Sequence, residues 1–310
     1  MKQAVLCIPC LLLACSDSQE PRQEVEQISQ PWFEDVAHDW GVDFTYQNGA
    51  EGNFHIKEVT GGGAALFDYD NDGDLDLYLV QGKDEQGNAL FENVAGKFVN
   101  RSKGSGADDK GYGIGVTTGD YDGDGDVDLY VTNIGVNALL RNDGGGKFTD
   151  VTTVSGTEDE GFSACSAFGD LDGDGDLDLV VTNYLDVALI TDRECLNYHS
   201  QRTYCNPTIY DAPMLDTLFI NNGDGTFTDV TESSGLASVK GTGLGVFISD
   251  LTGDNLPDIF IANDAMPDRF WVNQGDVTFI DEANHRNIAM DDSGKAKPGM
   301  GATPVDFDQD

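Results

Sequence analysis

Apolar residues along this chain come in short runs, each closed by Gly, Asn or Asp. Leu75-Asp-Leu-Tyr-Leu-Val80 and Val127-Asp-Leu-Tyr-Val-Thr132 carry the β-branched, aromatic and leucine content of buried strands. A shorter run ending in Asn follows, as in Ala138-Leu-Leu-Arg-Asn142 and Thr217-Leu-Phe-Ile-Asn221. A Gly turn then leads into Phe-x-Asp-Val, seen in Lys147-Phe-Thr-Asp-Val151 and Thr226-Phe-Thr-Asp-Val230, with Thr278-Phe-Ile-Asp281 as a variant. Ahead of each set stands a run of small and apolar residues: Gly61-Gly-Gly-Ala-Ala-Leu-Phe67, Gly113-Ile-Gly-Val-Thr-Thr-Gly119, Gly243-Leu-Gly-Val-Phe-Ile-Ser249 and Gly299-Met-Gly-Ala-Thr-Pro-Val305. Outside the first residues, no long window keeps a helical period. The pattern predicts four short strands per unit and an all-β chain.

The units repeat. Between the first and second strands of each lies an Asp-rich loop, and these loops start at 68, 120, 170, 250 and 306, in steps of 52, 50, 80 and 56 residues. Four strands at this period predict a β-propeller blade, with the small residues of the first strand crowded beside the axis. Blades are expected to start near 61, 113, 162, 242 and 299, the long step being an insertion over 184–213. Trp32-Phe-Glu-Asp-Val36 matches a last strand without its predecessors, and the fifth motif has only begun at Asp306. We therefore expect four blades and the start of a fifth, belonging to a larger propeller of about seven blades.

The loops carry the chemistry. Counting the first Asp as position 1, carboxylates fall at positions 1, 3, 5, 7 and 9 in Asp68, Asp70, Asp72, Asp74 and Asp76, in Asp120, Asp122, Asp124, Asp126 and Asp128, and in Asp170, Asp172, Asp174, Asp176 and Asp178. So many like charges in nine residues repel unless a cation sits among them, and Ca2+ takes six to eight oxygens at about 2.3–2.6 Å. A loop turned sharply at position 6 presents alternate side chains to such an ion. The position 7 residue is expected to offer its main-chain oxygen while its side chain faces water. The fourth loop, with Asp250, Thr252, Asp254 and Asp258, is a weaker version, because Thr stands at position 3 and Asn at position 6. The fifth begins with Asp306, Asp308 and Asp310. An EF-hand is excluded: its twelfth residue is Glu between helices, whereas here it is Leu79, Val131 or Val181 in strand-like sequence. The expectation is about three strong Ca2+ sites and a weaker fourth.

Composition adds two constraints. Of the 56 acidic residues, 21 are motif Asp, so much of the net charge of −39 is concentrated at these sites. The same acidity, with 17 Lys and Arg, argues against nucleic acid or an anionic membrane surface as partner. The first residues are a targeting segment: Lys2, then an apolar run too short to span a bilayer. Leu12-Leu-Ala-Cys15 resembles a bacterial lipobox, which implies a signal peptide over 1–14, lipidation at Cys15 and a polar tether over 15–30. By that resemblance Ser16 directs the protein to the outer membrane, and the lipid at Cys15 is its one membrane contact. Cys7 and Cys10 belong to the signal. Cys195 and Cys205, ten apart in the insertion, are expected to form a disulfide in an exported protein, the alternative being two surface thiols. Cys165 reads as a small core residue.

These units resemble FG-GAP (VCBS) repeats, which implies an integrin-α-like propeller over residues 31–310 with Ca2+ in its loops. Phe33-Glu-Asp-Val-Ala37, Glu58 to Asp68, Tyr204-Cys-Asn-Pro207, Ile261-Ala-Asn-Asp264 and Gly299-Met-Gly301 resemble the cartilage-acidic-protein and ASPIC/UnbV group. That resemblance implies adhesion more than catalysis. The leading expectation is a non-enzymatic envelope protein that binds a protein or glycan. The alternatives are an envelope hydrolase or lyase, or an accessory subunit on the same scaffold. For an enzyme the chain offers no G-x-S-x-G, H-E-x-x-H or phosphate loop, and its four His fall in different units. Candidate contact surfaces are Tyr198–Tyr210 and Asp264–Trp271, with Trp271 read rather as a strand residue of the core.

Overall fold

The computed structural model describes residues 33–190 and 193–305. The signal, Cys15 and the whole tether over 15–30, with Trp32 and the fifth motif (Asp306, Asp308, Asp310), lie outside them. The chain divides after Val36. Phe33–Val36 forms no strand, and every strand of the described residues belongs to the larger unit.

Blade 1 is built from β1 (Ala64–Phe67), β2 (Asp76–Leu79), β3 (Ala89–Val94) and β4 (Lys97–Asn100), paired antiparallel in that order. Blade 2 contains β5 (Tyr112–Gly119), β6 (Asp128–Val136), β7 (Ala138–Asn142) and β8 (Phe148–Asp150). Blade 3 contains β9 (Glu160–Gly169), β10 (Asp178–Asn183), β13 (Thr217–Asn221) and β14 (Phe227–Asp229). Its insertion carries a hairpin of β11 (Cys195–Leu196) and β12 (Arg202–Thr203). Blade 4 contains β15 (Gly243–Ser249), β16 (Asp258–Asn263), β17 (Arg269–Asn273) and β18 (Phe279–Asp281). The one α-helix among the described residues is the single turn α1 (Thr152–Ser155). This is an all-β propeller arrangement of four-stranded blades.

The core lies between blades. Tyr78, Val80 and Leu90 of blade 1 pack with Leu129, Val131 and Leu140 of blade 2. Tyr130 and Leu139, from the other face of blade 2, pack with Leu179, Val181 and Phe219 of blade 3. Val180 and Leu218 continue into Ile259, Ile261 and Trp271 of blade 4. Both faces of a middle blade are thus buried, which is why its strands read as continuous apolar runs rather than strict alternation. Each such side chain contributes about 1.5–3 kcal/mol of burial.

The first strands stand in the order β1, β5, β9, β15, each against the next. Their closeness explains the small residues: a Cβ on Gly63 would lie 2.7 Å from Gly115 Cα, and one on Gly245 would lie 2.7 Å from Gly301 Cα. Between blades, a turn after each last strand docks on the next blade. The Phe148 amide donates to Ser105 O (2.7 Å) and that of Phe279 to Ser234 O (2.9 Å). The Phe98 amide donates to Trp40 O (2.7 Å), so the turn before blade 1 repeats the joint. One departure from independent blades appears. β6 runs on through Ile134–Val136 and pairs with Glu160–Phe162 of β9, fusing blades 2 and 3 into one sheet.

At the blade end away from the Asp loops, an amide at or near the end of the second strand donates to a side chain ahead of the third. Gln81 N donates to Asn88 Oδ1 (2.7 Å), Asn133 N to Asn137 Oδ1 (2.8 Å), Asn183 N to Asp216 Oδ1 (3.0 Å) and Asn263 N to Asp268 Oδ1 (2.9 Å). Asp216 is 6% exposed, and burial pushes its carboxyl up to about 7, against the lowering effects of the Asn183 amide and Arg269. An acid whose folded pKa is raised binds its proton more tightly when folded. Its burial therefore destabilises the fold increasingly as pH rises from about 4 to about 7. Asp216→Asn, which supplies the acceptor that Asn137 supplies in blade 2, should stabilise the protein by about 1 kcal/mol at pH 8 and leave it unchanged at pH 4. Thermal melts across that range check it; equal melting of both proteins at pH 8 would refute it.

Candidate metal centres

All four described Asp loops join the first strand of a blade to its second. Position 9 is the first residue of the second strand and is buried: Asp76 and Asp178 are 1% exposed, Asp128 and Asp258 0%. Each of these carboxylates accepts two backbone amides. Oδ2 takes that of position 2: Tyr69 (3.0 Å), Tyr121 (3.1 Å), Leu171 (2.7 Å) and Leu251 (3.0 Å). Oδ1 takes the amide of the Asn in the third strand: Asn93 (2.7 Å), Asn142 (2.7 Å), Asn221 (2.9 Å) and Asn273 (3.0 Å).

Position 1 shapes the turn. Asp120 accepts from the amides of Asp124 (3.1 Å) and Gly125 (3.0 Å), and Asp68 from those of Asp72 and Gly73. Asp170 accepts from Gly173 and Gly175, and Asp250 from Gly253, Asp254 and Asn255. The residue at position 6 is left-handed in every loop. Gly125 has φ +93°, and Asn255 takes φ +68° in the fourth, so the Asn there preserves the shape.

Three triads result. Oxygens of Asp68, Asp70 and Asp76, of Asp120, Asp122 and Asp128, and of Asp170, Asp172 and Asp178 lie within 4.8 Å of one another in each loop and could hold a metal ion. Burial pushes Asp128 and Asp178 up to about 7, with neighbouring Asp charges adding to it. Asp76 is raised for the same first reason. Asp70 and Asp122 are raised by burial and then by the adjoining Asp72 and Asp124, and Asp172 chiefly by burial. A cation among them would remove that cost. Asp70 Oδ1 is buried and has no hydrogen-bond partner among the described residues, and in the fourth loop the same holds for Thr252 Oγ1. Both stand at position 3, where a ligand would satisfy them. The donor set is oxygen throughout, so the residues present fit a hard cation.

Asp72, Asp124, Asp174 and Asp254 at position 5 lie outside the triads. Each turns a side-chain oxygen onto the amide two residues on, at 2.9 Å, 2.9 Å, 2.9 Å and 3.0 Å. At position 7, Asp74 is exposed as expected. Asp126 and Asp176 differ: both are half-buried, and Asp126 accepts from Asn71 Nδ2 of the neighbouring loop at 2.6 Å. Inter-blade packing brings Asn71 to it, which loop spacing alone does not show.

Four Asn residues that the Asp pattern does not mark brace the loops, and three of them join one loop to the next. Asn142 Nδ2 donates to Val127 O of its own loop (3.2 Å) and to Tyr69 O of the preceding one (2.8 Å). Asn221 does the same to Leu177 O (3.1 Å) and Tyr121 O (2.8 Å), and Asn273 to Pro257 O (3.0 Å) and Leu171 O (2.9 Å). Asn93 in blade 1 reaches Leu75 O of its own loop (3.1 Å). The signal was the Asn closing every third strand. Of the other sequence-marked residues, Cys195 and Cys205 are joined in a disulfide. Cys165 is a free, half-buried thiol whose pKa is raised by burial. Phe270 and Trp271 are core residues of β17, at 2% and 3% exposure, so Asp264–Trp271 offers no aromatic contact surface.

Residues 68–131, 120–181 and 184–261 each match the family model described as FG-GAP-like repeat. Among curated proteins, none matches. Two solved structures are similar at low identity. One is an Agrocybe aegerita lectin described by its recognition of non-reducing terminal N-acetylglucosamine, at 21% identity and a TM-score of 0.40, covering 69% of this chain and 49% of that one. The other is the V. cholerae biofilm matrix protein Bap1, at 14% identity and a TM-score of 0.33, covering 71% of this chain and 38% of that one. The chain therefore spans about half the length of the first or less of the second.

Proposed function

The chain belongs to the FG-GAP-like repeat family, and from that premise we propose that it is a calcium-stabilised, non-catalytic binding protein of the bacterial cell envelope. The observation that carries the metal half is the repeated Asp triad, three times over, with oxygens gathered within 4.8 Å. Calcium suits it better than magnesium, because Ca2+ accepts irregular, carboxylate-rich loops while Mg2+ keeps its waters and a strict octahedron. Positions 1, 3 and 9 would hold the ion, and its role is structural: it neutralises the blade ends and fixes the turns between first and second strands.

The binding half rests on the absence from the sequence of a catalytic motif and on the exposed insertion, where Tyr198 is 92% exposed and lies against His199 with the two rings tilted. Export and a lipid anchor at Cys15, on the outer membrane, follow from the lipobox-like segment; among the described residues no helix is long and apolar enough to cross a membrane. The partner is a surface protein or glycan.

Calorimetric titration of EGTA-treated protein with CaCl2 should resolve about three tight sites and a weaker fourth. Lack of stoichiometric uptake would overturn the metal reading. Glycan and envelope-protein arrays probed with the lipid-free chain should show saturable binding that EGTA abolishes. Conversion of an arrayed substrate would favour the hydrolase or lyase instead.

A further inference from the structure

Lysine and arginine are scarce here, 17 against 56 acidic residues, yet three of them, Lys57, Arg193 and Arg202, line one cavity of about 610 Å³. Among the described residues that line it, Glu194 is the single acid, and it pairs with Arg202 at 3.3 Å. Among the described lining residues the balance of Lys, Arg, Asp and Glu is positive, in a chain of net charge −39. Ile56, Phe162 and Tyr210, buried at 5%, 1% and 6% exposure, form an apolar floor at the ends of the inner strands. One wall is the segment before blade 1 and the other is the disulfide-braced insertion of blade 3.

The two walls are fastened to each other. Tyr204 donates its hydroxyl to Glu58 (3.0 Å) and sets its ring edge-on to Phe54 (5.2 Å). Arg202 lies over the Phe54 ring (5.9 Å) and donates to Asn53 O (3.4 Å), and Lys57 lies over Tyr112 (4.5 Å). Two of the cations are therefore positioned by aromatic rings, and Lys57 has its nearest carboxylate, Asp84, only at the 4.0 Å limit of an ion pair. Rings hold a guanidinium or ammonium in place without consuming its hydrogen-bond donors.

We infer that this cavity binds a free organic anion, a carboxylate or sulfonate on a compact apolar body. Its volume is that of a small-molecule site, its floor takes the apolar body, and its cations supply charge-assisted hydrogen bonds to the acid group. This goes beyond the adhesion reading, since it requires neither a surface partner nor metal in the Asp loops.

The test uses the full, calcium-supplemented chain and 1-anilinonaphthalene-8-sulfonate, followed by fluorescence. One saturable site is expected. Arg193→Glu should weaken it at least about tenfold, the loss of one charge-assisted contact. Val187→Trp, at a 44% exposed lining position, should block the cavity and abolish binding. The neutral N-phenyl-1-naphthylamine should bind wild type at least about tenfold more weakly than the sulfonate, and Arg193→Glu no differently from wild type. Unchanged circular dichroism and melting confirm that each variant is folded, and Lys57→Met replaces Arg193→Glu if that one melts early. Unsaturable binding, sulfonate affinity unmoved by the substitutions, or equal affinity for the neutral probe would each overturn the inference.

Discussion

EGTA is expected to lower the melting temperature of this protein by roughly 15 °C. A ligand at a hundred times its Kd contributes about 2.7 kcal/mol per site, so three sites contribute about 8 kcal/mol. In a fold of this size 1 kcal/mol moves the midpoint by about 2 °C. Asp172→Asn separates the ion's contribution from that of the loop. Asp172 is an exposed member of the third triad and accepts the Asp174 amide (3.2 Å), a bond that an Asn Oδ1 keeps, while the other amides of the turn are accepted by Asp170, Asp174 and Asp178. With calcium, the variant should lose one titratable site and melt about 5 °C lower. In EGTA it should melt at or above the wild-type temperature, because burial holds the native carboxyl above its ordinary pKa and the amide removes that strain. Differential scanning calorimetry with and without the chelator decides it. Identical wild-type melts in the two buffers would mean that the triads hold nothing.

The second large effect belongs to Asn221. Its side chain is the donor to Leu177 O and Tyr121 O and the acceptor of the Gly223 amide (3.0 Å), at 3% exposure. Asn221→Ala leaves two carbonyls and one amide without these partners, and should destabilise the fold by about 3 kcal/mol. Asn221→Asp keeps the shape but cannot donate, and it adds a charge beside Asp178, so it should be at least as damaging. Because Tyr121 belongs to the second loop and Leu177 to the third, calcium affinity should fall at both sites. Asn222→Ala, at the exposed neighbour, is the control and should behave as wild type. Wild-type melting of Asn221→Ala would show that the bridge between loops carries no load.

Much of the fold was legible because its determinants are local. The Asp loop depends on alternate residues and one left-handed position within nine, so Asp120, Asp122, Gly125 and Asp128 announce the turn before any packing is known. The small residues at Gly63, Gly115 and Gly245 likewise announced the crowded first strands, while the pairing of Cys195 with Cys205 was expected of an exported protein, with two surface thiols left open until the structure joined them. The Asn residues closing the third strands were visible as a repeat, but their role was not. Their amides answer to a carboxylate in their own blade and their side chains to a carbonyl in the one before it, a partner 73 residues away for Asn142 and 100 for Asn221.

By itself, then, the sequence determined the repeat, the strand order within a blade and the residues able to ligand a cation, since each is set by neighbours along the chain. Tertiary structure alone decided which of five loop carboxylates converge, that β6 would reach past its blade to β9, and that Lys57, Arg193 and Arg202 would line one cavity. Those outcomes depend on how blades pack face to face, and the contacts that select them join residues with no fixed spacing in the chain.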